Sequence, residues 1–287
     1  MVNSFFKFKI KSIEDCSPSY MDIEKAKNIL FSIFTRYGDT IISLVVIKEF
    51  IKKFPNKKYL ILCSRQMEPY VKELLPRLEC ISLDKRNLLD VIKLNSILKK
   101  RKINIGFNPW SFGYESCYFL TYCQNFLFYK DYKRSEQVNH YEVVRRYLHL
   151  ESKKWIISDL ATNINYKKIL ICPHSTDKSR SISNIKLEHI ISNLLQKYPK
   201  SEITIASMDR ADFRLTHNQF YFNKTAESSQ NFIDLVKQSD LMICADSGPL
   251  HIGNALNKPL IAFFNATKPE VVINSGDTLN IHGDLFS

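Results

Sequence analysis

Short apolar runs alternate with longer amphipathic stretches along most of the chain. Residues 28–34 (NILFSIF), 59–63 (YLILC), 78–83 and 103–107 (INIGF) read as strands. Residues 40–53, a short stretch near 68–75, and 88–100 read as helices, with TRYGD at 35–39 as a loop. Strands alternating with helices predict a parallel sheet with helices on both faces. Residues 111–130 are rich in Tyr, Phe and Cys and settle into neither period. Residues 138–150 read as an amphipathic helix, followed by a polar, aperiodic stretch to residue 166.

The alternation then restarts. Strands are expected at 168–172 (KILIC), 202–206 (EITIA), 241–245 (LMICA) and 260–264 (LIAFF). Helices are expected at 185–197, over 232–238 and at 249–256. A long polar loop spans 173–184. These patterns predict two doubly wound α/β units, divided into residues 1–155 and 156–287.

Composition narrows the picture slightly. The chain has 287 residues, 45% hydrophobic and 24% charged, which suits a large globular core. The net charge of +12 favours an anionic partner, although a lysine-rich solvated surface would read the same way. The seven cysteines have no metal-like spacing, and three lie in strand-like runs. They read as small buried residues in a reducing cytoplasm. No apolar run is long enough for a membrane span, and the first residues do not read as a signal peptide. A cytoplasmic protein, peripheral to a membrane at most, is expected.

Three strand-to-helix junctions carry candidate chemistry. In the first, Asp246, Ser247 and Gly248 lead into Pro249 and a helix that includes His251. A helix start after a strand gathers free N–H groups and the positive dipole end, which suits an anion. An ordinary cap with a locally satisfied histidine fits equally well. In the second, Ser175, Thr176, Lys178 and Arg180 offer hydroxyls and cations suited to a diphosphate, or form a solvated loop. In the third, Gly38 and Asp39 precede a helix, where Asp39 is either a general base or a cap. No Gly-x-Gly-x-x-Gly, Walker loop or Gly-x-Ser-x-Gly stands in the chain, which argues against dinucleotide oxidoreductases, P-loop NTPases and elbow-type hydrolases. The absence of Asp-x-Asp and of a His/Cys cluster leaves no metal expected.

Together these segments resemble the heptosyltransferase family of glycosyltransferases, family 9. The carrying residues are Asp246-Ser247-Gly248-Pro249-Leu250-His251, Ala255-Leu256-Asn257-Lys258-Pro259, Ala266-Thr267-Lys268-Pro269 and Gly38-Asp39. The resemblance implies a GT-B architecture, with two Rossmann-like domains facing across a cleft. It implies inverting, metal-independent transfer without a cofactor, from a nucleotide-sugar donor such as ADP-heptose. Asp39 would be the base. Asp246, Ser247, Gly248 and His251 would bind the donor diphosphate, with Ser175, Thr176, Arg180 and its neighbour Lys178. Asp209 would hold the ribose. The acceptor would be an anionic glycolipid or saccharide, with Lys52, Lys53, Lys57, Lys58, Lys99, Lys100, Arg101 and Lys102 as its contacts. No nucleic-acid partner is expected. The family's Lys-x-Trp-Pro is replaced by Arg180-Ser181-Ile182-Ser183, a Gly by Asn257, and its C-terminal helix is expected to be short or absent. Another GT-B reaction with a different nucleotide sugar, or a non-catalytic nucleotide-binding protein, remains the alternative.

Overall fold

The computed structural model describes residues 19–109, 113–127, 138–153, 166–207, 220–224, 228–274 and 280–281. The chain divides into two compact units, with residues 136–140 grouped with the second and 141–152 with the first.

The first unit runs α1 (Tyr20–Lys25), β1 (Asn28–Ile33), α2 (Tyr37–Lys53), β2 (Lys58–Ser64), α3 (Glu68–Leu74), β3 (Glu79–Leu83), α4 (Leu88–Lys99), β4 (Ile103–Phe107), α5 (Tyr114–Leu120), β5 (Cys123–Leu127) and α6 (His140–Tyr147). Its strands form one parallel sheet in the order β3-β2-β1-β4-β5. Helical crossovers bring each strand back parallel to the last, so the strands are covered on both faces. β1 accordingly buries every residue after Asn28. Phe31 stacks on Tyr59 and Phe107 and meets Phe50 of α2 edge-on, with centroids 5.6–6.2 Å apart. Full burial of Phe50 contributes roughly 1.5–3 kcal/mol. The opposite face packs Val91, Leu94 and Leu98 of α4 and Phe119 of α5 against Leu30 and Leu62.

Two expectations shift here. Residues 35–39 were expected as a loop, but α2 begins at Tyr37 and contains Gly38 and Asp39. The Thr35 hydroxyl donates to the Asp39 carboxylate at 3.3 Å, a local contact that helps the turn wind early. The indeterminate stretch 111–130 contains α5 and β5. Its helix hides Tyr118, Phe119 and Leu120 from water, and aromatic residues on both sides obscured the period.

The second unit runs β6 (Lys168–Cys172), α7 (Asn184–Lys197), β7 (Glu202–Ser207), β8 (Phe220–Lys224), α8 (Ser229–Gln238), β9 (Leu241–Ala245), α9 (Gly248–Ala255), β10 (Leu260–Phe263), α10 (Pro269–Val272) and β11 (Asn280–Ile281). All its strands are parallel, in the order β11-β10-β9-β6-β7-β8. In chain order that is the 3-2-1-4-5-6 arrangement of a dinucleotide-binding sheet. β8, α10 and β11 are additional to the elements the sequence pattern indicates. The core of this unit joins Ile169, Ile171, Ile205, Ile243 and Phe263 with Leu187, Ile190, Ile191 and Leu194 of α7.

α9 lies close on its sheet because Gly253 has no side chain. A Cβ there would come within 2.7 Å of the Met242 sulfur and 2.8 Å of a Leu260 methyl. The helix ends on Asn257 at φ 54°, with Lys258 N–H bonding Gly253 C=O and Asn257 N–H bonding Asn254 C=O. This is a Schellman stop, in which Asn replaces the more usual Gly.

Candidate functional site

In an open α/β sheet the strand order reverses at one point, and the loops there leave a crevice beyond the carboxyl ends of the strands. In the second unit that point lies between β6 and β9. The two loops leaving those strands are Pro173–Ser183 and Asp246–Ser247. They hold every donor-site candidate except Gly248 and His251, which lie on α9, and Asp209, which lies outside the described residues.

The β6 loop is tied down from several sides. Ile182 N–H bonds the Pro173 carbonyl at 2.8 Å, and Ser175 N–H bonds the Ser181 hydroxyl at 2.9 Å. A short 3₁₀ turn, Lys178–Arg180, is capped by Asp177, whose carboxylate accepts from Ser179 N–H and hydroxyl. These bonds hold the Asp177 carboxyl below its usual range. Asn265, just beyond β10, donates to the Ser181 carbonyl at 3.1 Å. His174 Nδ1 lies 2.6 Å from the Ser207 hydroxyl at the end of β7. His174, Ser207 and Asn265 were missed in the sequence. The only signal was His174's place just after the strand, beside more conspicuous hydroxyls.

Arg180 joins the two loops. Its Nη1 lies 3.5 Å from Asp246 Oδ2, and its Nε lies 3.8 Å from Asp177 Oδ2. Asp246 is almost fully buried at the end of β9. The Nε of Arg180 is itself buried and has no hydrogen-bond acceptor within reach among the described residues. A buried unsatisfied N–H is uncommon in a native fold and suits a site awaiting an acceptor.

The α9 entrance differs in detail from a side-chain cap. Ser247 holds the N-cap position, but its hydroxyl donates back to the Ala245 carbonyl at 3.2 Å. The first N–H groups of the helix therefore receive no bond from that side chain. His251 lies one turn in and is buried. Burial, and then the Arg180 charge, bring its pKa down to about 4. The imidazole is neutral at physiological pH and adds no positive charge. Thr176 and Lys178 are exposed, Ser175 half-buried, and none of their side chains joins the Arg180–Asp246 contact.

In the first unit, Asp39 holds the third position of α2, at the carboxyl end of β1. Phe34 N–H donates to Ser116 of α5 at 3.3 Å, and the Ser43 hydroxyl bonds both the Asp39 and the Pro109 carbonyls. These contacts brace the β1–α2 turn against the β4 side of its own switch point. The lysine-rich acceptor contacts expected from the sequence are corrected. Lys52, Lys53, Lys57, Lys58 and Lys99 to Lys102 stand at helix ends and strand starts, the edge of the sheet opposite Asp39. Lys57 donates to the carbonyls of Glu24 and Ala26, and Arg101 pairs with Glu79.

Two doubly wound parallel units in succession, the second with a cation and a helix start at its switch point, define the GT-B class of glycosyltransferase folds. The fold is shared with a family 9 glycosyl transferase from Veillonella parvula, at TM-score 0.71 and 14% identity, covering 93% of this chain and 87% of that one. It is shared too with the E. coli heptosyltransferase WaaC, solved with ADP, at TM-score 0.64 and 12% identity, covering 89% and 94%. Residues 228–282 match the family model of glycosyltransferase family 9 (heptosyltransferase). The lipopolysaccharide heptosyltransferase 1 of Campylobacter coli is 25% identical over 127 residues, 41% of this chain but only 37% of that protein. The segment that matches this family model includes Asp246–His251.

Proposed function

We propose that the protein transfers a heptose from ADP-heptose to an anionic surface-glycan acceptor of the lipopolysaccharide type. The observation that carries this reading is the buried Arg180 Nε–H, open for an acceptor beside the α9 entrance. Diphosphate oxygens would fill that position, held by the guanidinium and by the first backbone N–H groups of α9. The family match over the same helix and the ADP bound to the E. coli relative support the choice of nucleotide.

In the reaction, the acceptor hydroxyl oxygen bonds to the anomeric carbon while the bond from that carbon to the phosphate oxygen breaks. The electron pair leaves with the diphosphate, and the hydroxyl proton passes to Asp39. Attack opposite the leaving group inverts the anomeric centre. Arg180 and the helix end meet the charge as it develops on the leaving group, where preorganised positive groups are most effective. Lys178 is close enough in sequence to add a second, solvent-facing cation. Positive groups of this kind stabilise the leaving diphosphate without a metal ion. Neutral His251 contributes packing and N–H hydrogen bonding rather than charge.

Thermal-shift titration with ADP-, UDP-, GDP- and CDP-sugars tests the donor half. ADP-heptose is expected to give the largest stabilisation. If another nucleotide sugar gives it, the donor assignment fails; if none does, the transferase reading fails with it.

A further inference from the structure

α4 is apolar on two sides. Val91, Leu94 and Leu98 face the core, as a single amphipathic stripe would require. Leu88, Leu89 and Ile92 are nevertheless 50%, 65% and 54% exposed on the outer side. At 100° per residue these three fall within one arc of about 100°, so they form one patch in the first half of the helix. The first turn is rigidly set. Asn87 caps Leu89 N–H at 3.0 Å, and the Asp84 carboxylate takes Arg86 N–H at 2.9 Å. The ion pair between Lys85 and Glu115 ties this turn to the start of α5, where Tyr114 is also exposed.

Charge around the patch is one-sided. Asp90 is taken by Arg65, Glu115 by Lys85, and Asp84 by backbone. Arg86 and Lys93 flank the leucines, exposed and without an ion pair among the described residues. Apolar side chains beside unpaired cations, in a chain of net charge +12, fit an anionic bilayer surface. No described helix is long and apolar enough to cross one. The location fits as well. The strands are parallel, so the β3–α4 turn lies on the same carboxyl edge of the sheet as the β1–α2 turn and Asp39.

We infer that the start of α4, with Leu88, Leu89, Ile92, Arg86 and Lys93, docks the first unit on an anionic lipid bilayer and turns the Asp39 edge toward a lipid-linked acceptor. The orientation toward the acceptor rests on the proposed function; the docking itself is read without turnover.

The full chain is sedimented with vesicles of phosphatidylcholine alone and with equal parts phosphatidylglycerol. Wild type is expected to partition at least about tenfold more onto the anionic vesicles. L88S/L89S/I92S should lose about tenfold or more of that binding, and R86Q/K93Q should fall toward the neutral-vesicle level. Both variants should keep the wild-type melting temperature, the ADP-heptose thermal shift and transfer to a water-soluble, delipidated acceptor. Undiminished vesicle binding in both variants, or no preference for anionic vesicles in the wild type, overturns the inference. So does a wild-type dimer that L88S/L89S/I92S dissociates without any vesicle binding, which would make the patch an interface between copies. If vesicles bind but no nucleotide sugar does, the docking surface stands and the transferase reading falls.

Discussion

His251 shows how one residue's meaning depends on its surroundings. In sequence it sits where a cation could meet a phosphate. In the fold, burial and then the neighbouring Arg180 hold its pKa at about 4, against an ordinary 6.5. The native state therefore binds this proton more weakly than the unfolded chain does. The associated stability is fully present above about pH 6.5 and is lost as pH falls toward 4. Over that interval the loss is about 3 kcal/mol. Denaturant melts at about pH 7 and about pH 4 should show a stability gap narrower by about that amount in His251→Gln than in wild type. Equal gaps would mean that the imidazole is solvated. Gly253 is the other single position under tight constraint. Gly253→Ala should cost roughly 1–3 kcal/mol in a denaturant melt, because the new methyl presses on Met242 and Leu260. The flexible Met242 side chain favours the lower end of that range.

At the scale of elements, the clearest constraint is the contact between α6 and α2. Arg145 of α6 is fully buried, and its guanidinium grips Glu49 of α2 through two bonds of 2.9 and 2.8 Å. Glu142, one turn earlier on α6, takes the Nη1 side. Desolvation works against the charge of Arg145, but the two carboxylates outweigh it and raise its pKa. α6 then ends on His149 at φ 53°, with Leu150 N–H bonded to the Arg145 carbonyl. Arg145→Met should cost roughly 3–5 kcal/mol, because two largely buried carboxylates lose their partner. The triple variant Glu49→Leu, Glu142→Leu, Arg145→Met should recover most of that loss in the same urea melt. A single-variant cost below about 1 kcal/mol would show that water reaches the cluster. The amphipathic period of residues 138–150 was legible in the sequence; the buried arginine was not. An Arg among apolar positions reads as a solvated edge until a partner 96 positions away is brought to it.

At the scale of the whole molecule, the proposed chemistry separates by unit. Asp39 belongs to the first and Arg180 to the second. Asp39→Ala should lower turnover roughly hundredfold or more while leaving the ADP-heptose thermal shift intact. Arg180→Gln should weaken donor binding roughly tenfold or more, since a charge-assisted hydrogen bond is lost. Calorimetric titration alongside a radiolabelled transfer assay separates the two. Equal turnover in Asp39→Ala would remove that residue from the reaction, and unchanged donor affinity in Arg180→Gln would remove the proposed diphosphate grip.

Much of this was readable from local pattern. β4, β6 and β9 match their expected bounds because their apolar runs are short, nearly unbroken and set off by polar residues. Asp246–His251 stood out because a strand, a turn and a Pro at the helix start leave few alternative conformations. The start of α2, the identity of α5 and β5, and the presence of β8, α10 and β11 were not readable that way. There, capping, aromatic packing and partner strands outweighed local preference. By itself, the sequence determined the alternation, the parallel α/β class and the motif that carries the resemblance to glycosyltransferase family 9. Those depend on period and on neighbours a few positions apart. Only the tertiary structure decided that Arg180 meets Asp246 with an Nε–H to spare, that His251 is neutral, and that the expected acceptor lysines lie on the edge opposite Asp39. Those outcomes depend on burial and on contacts between distant residues, which strand order creates and chain order does not display.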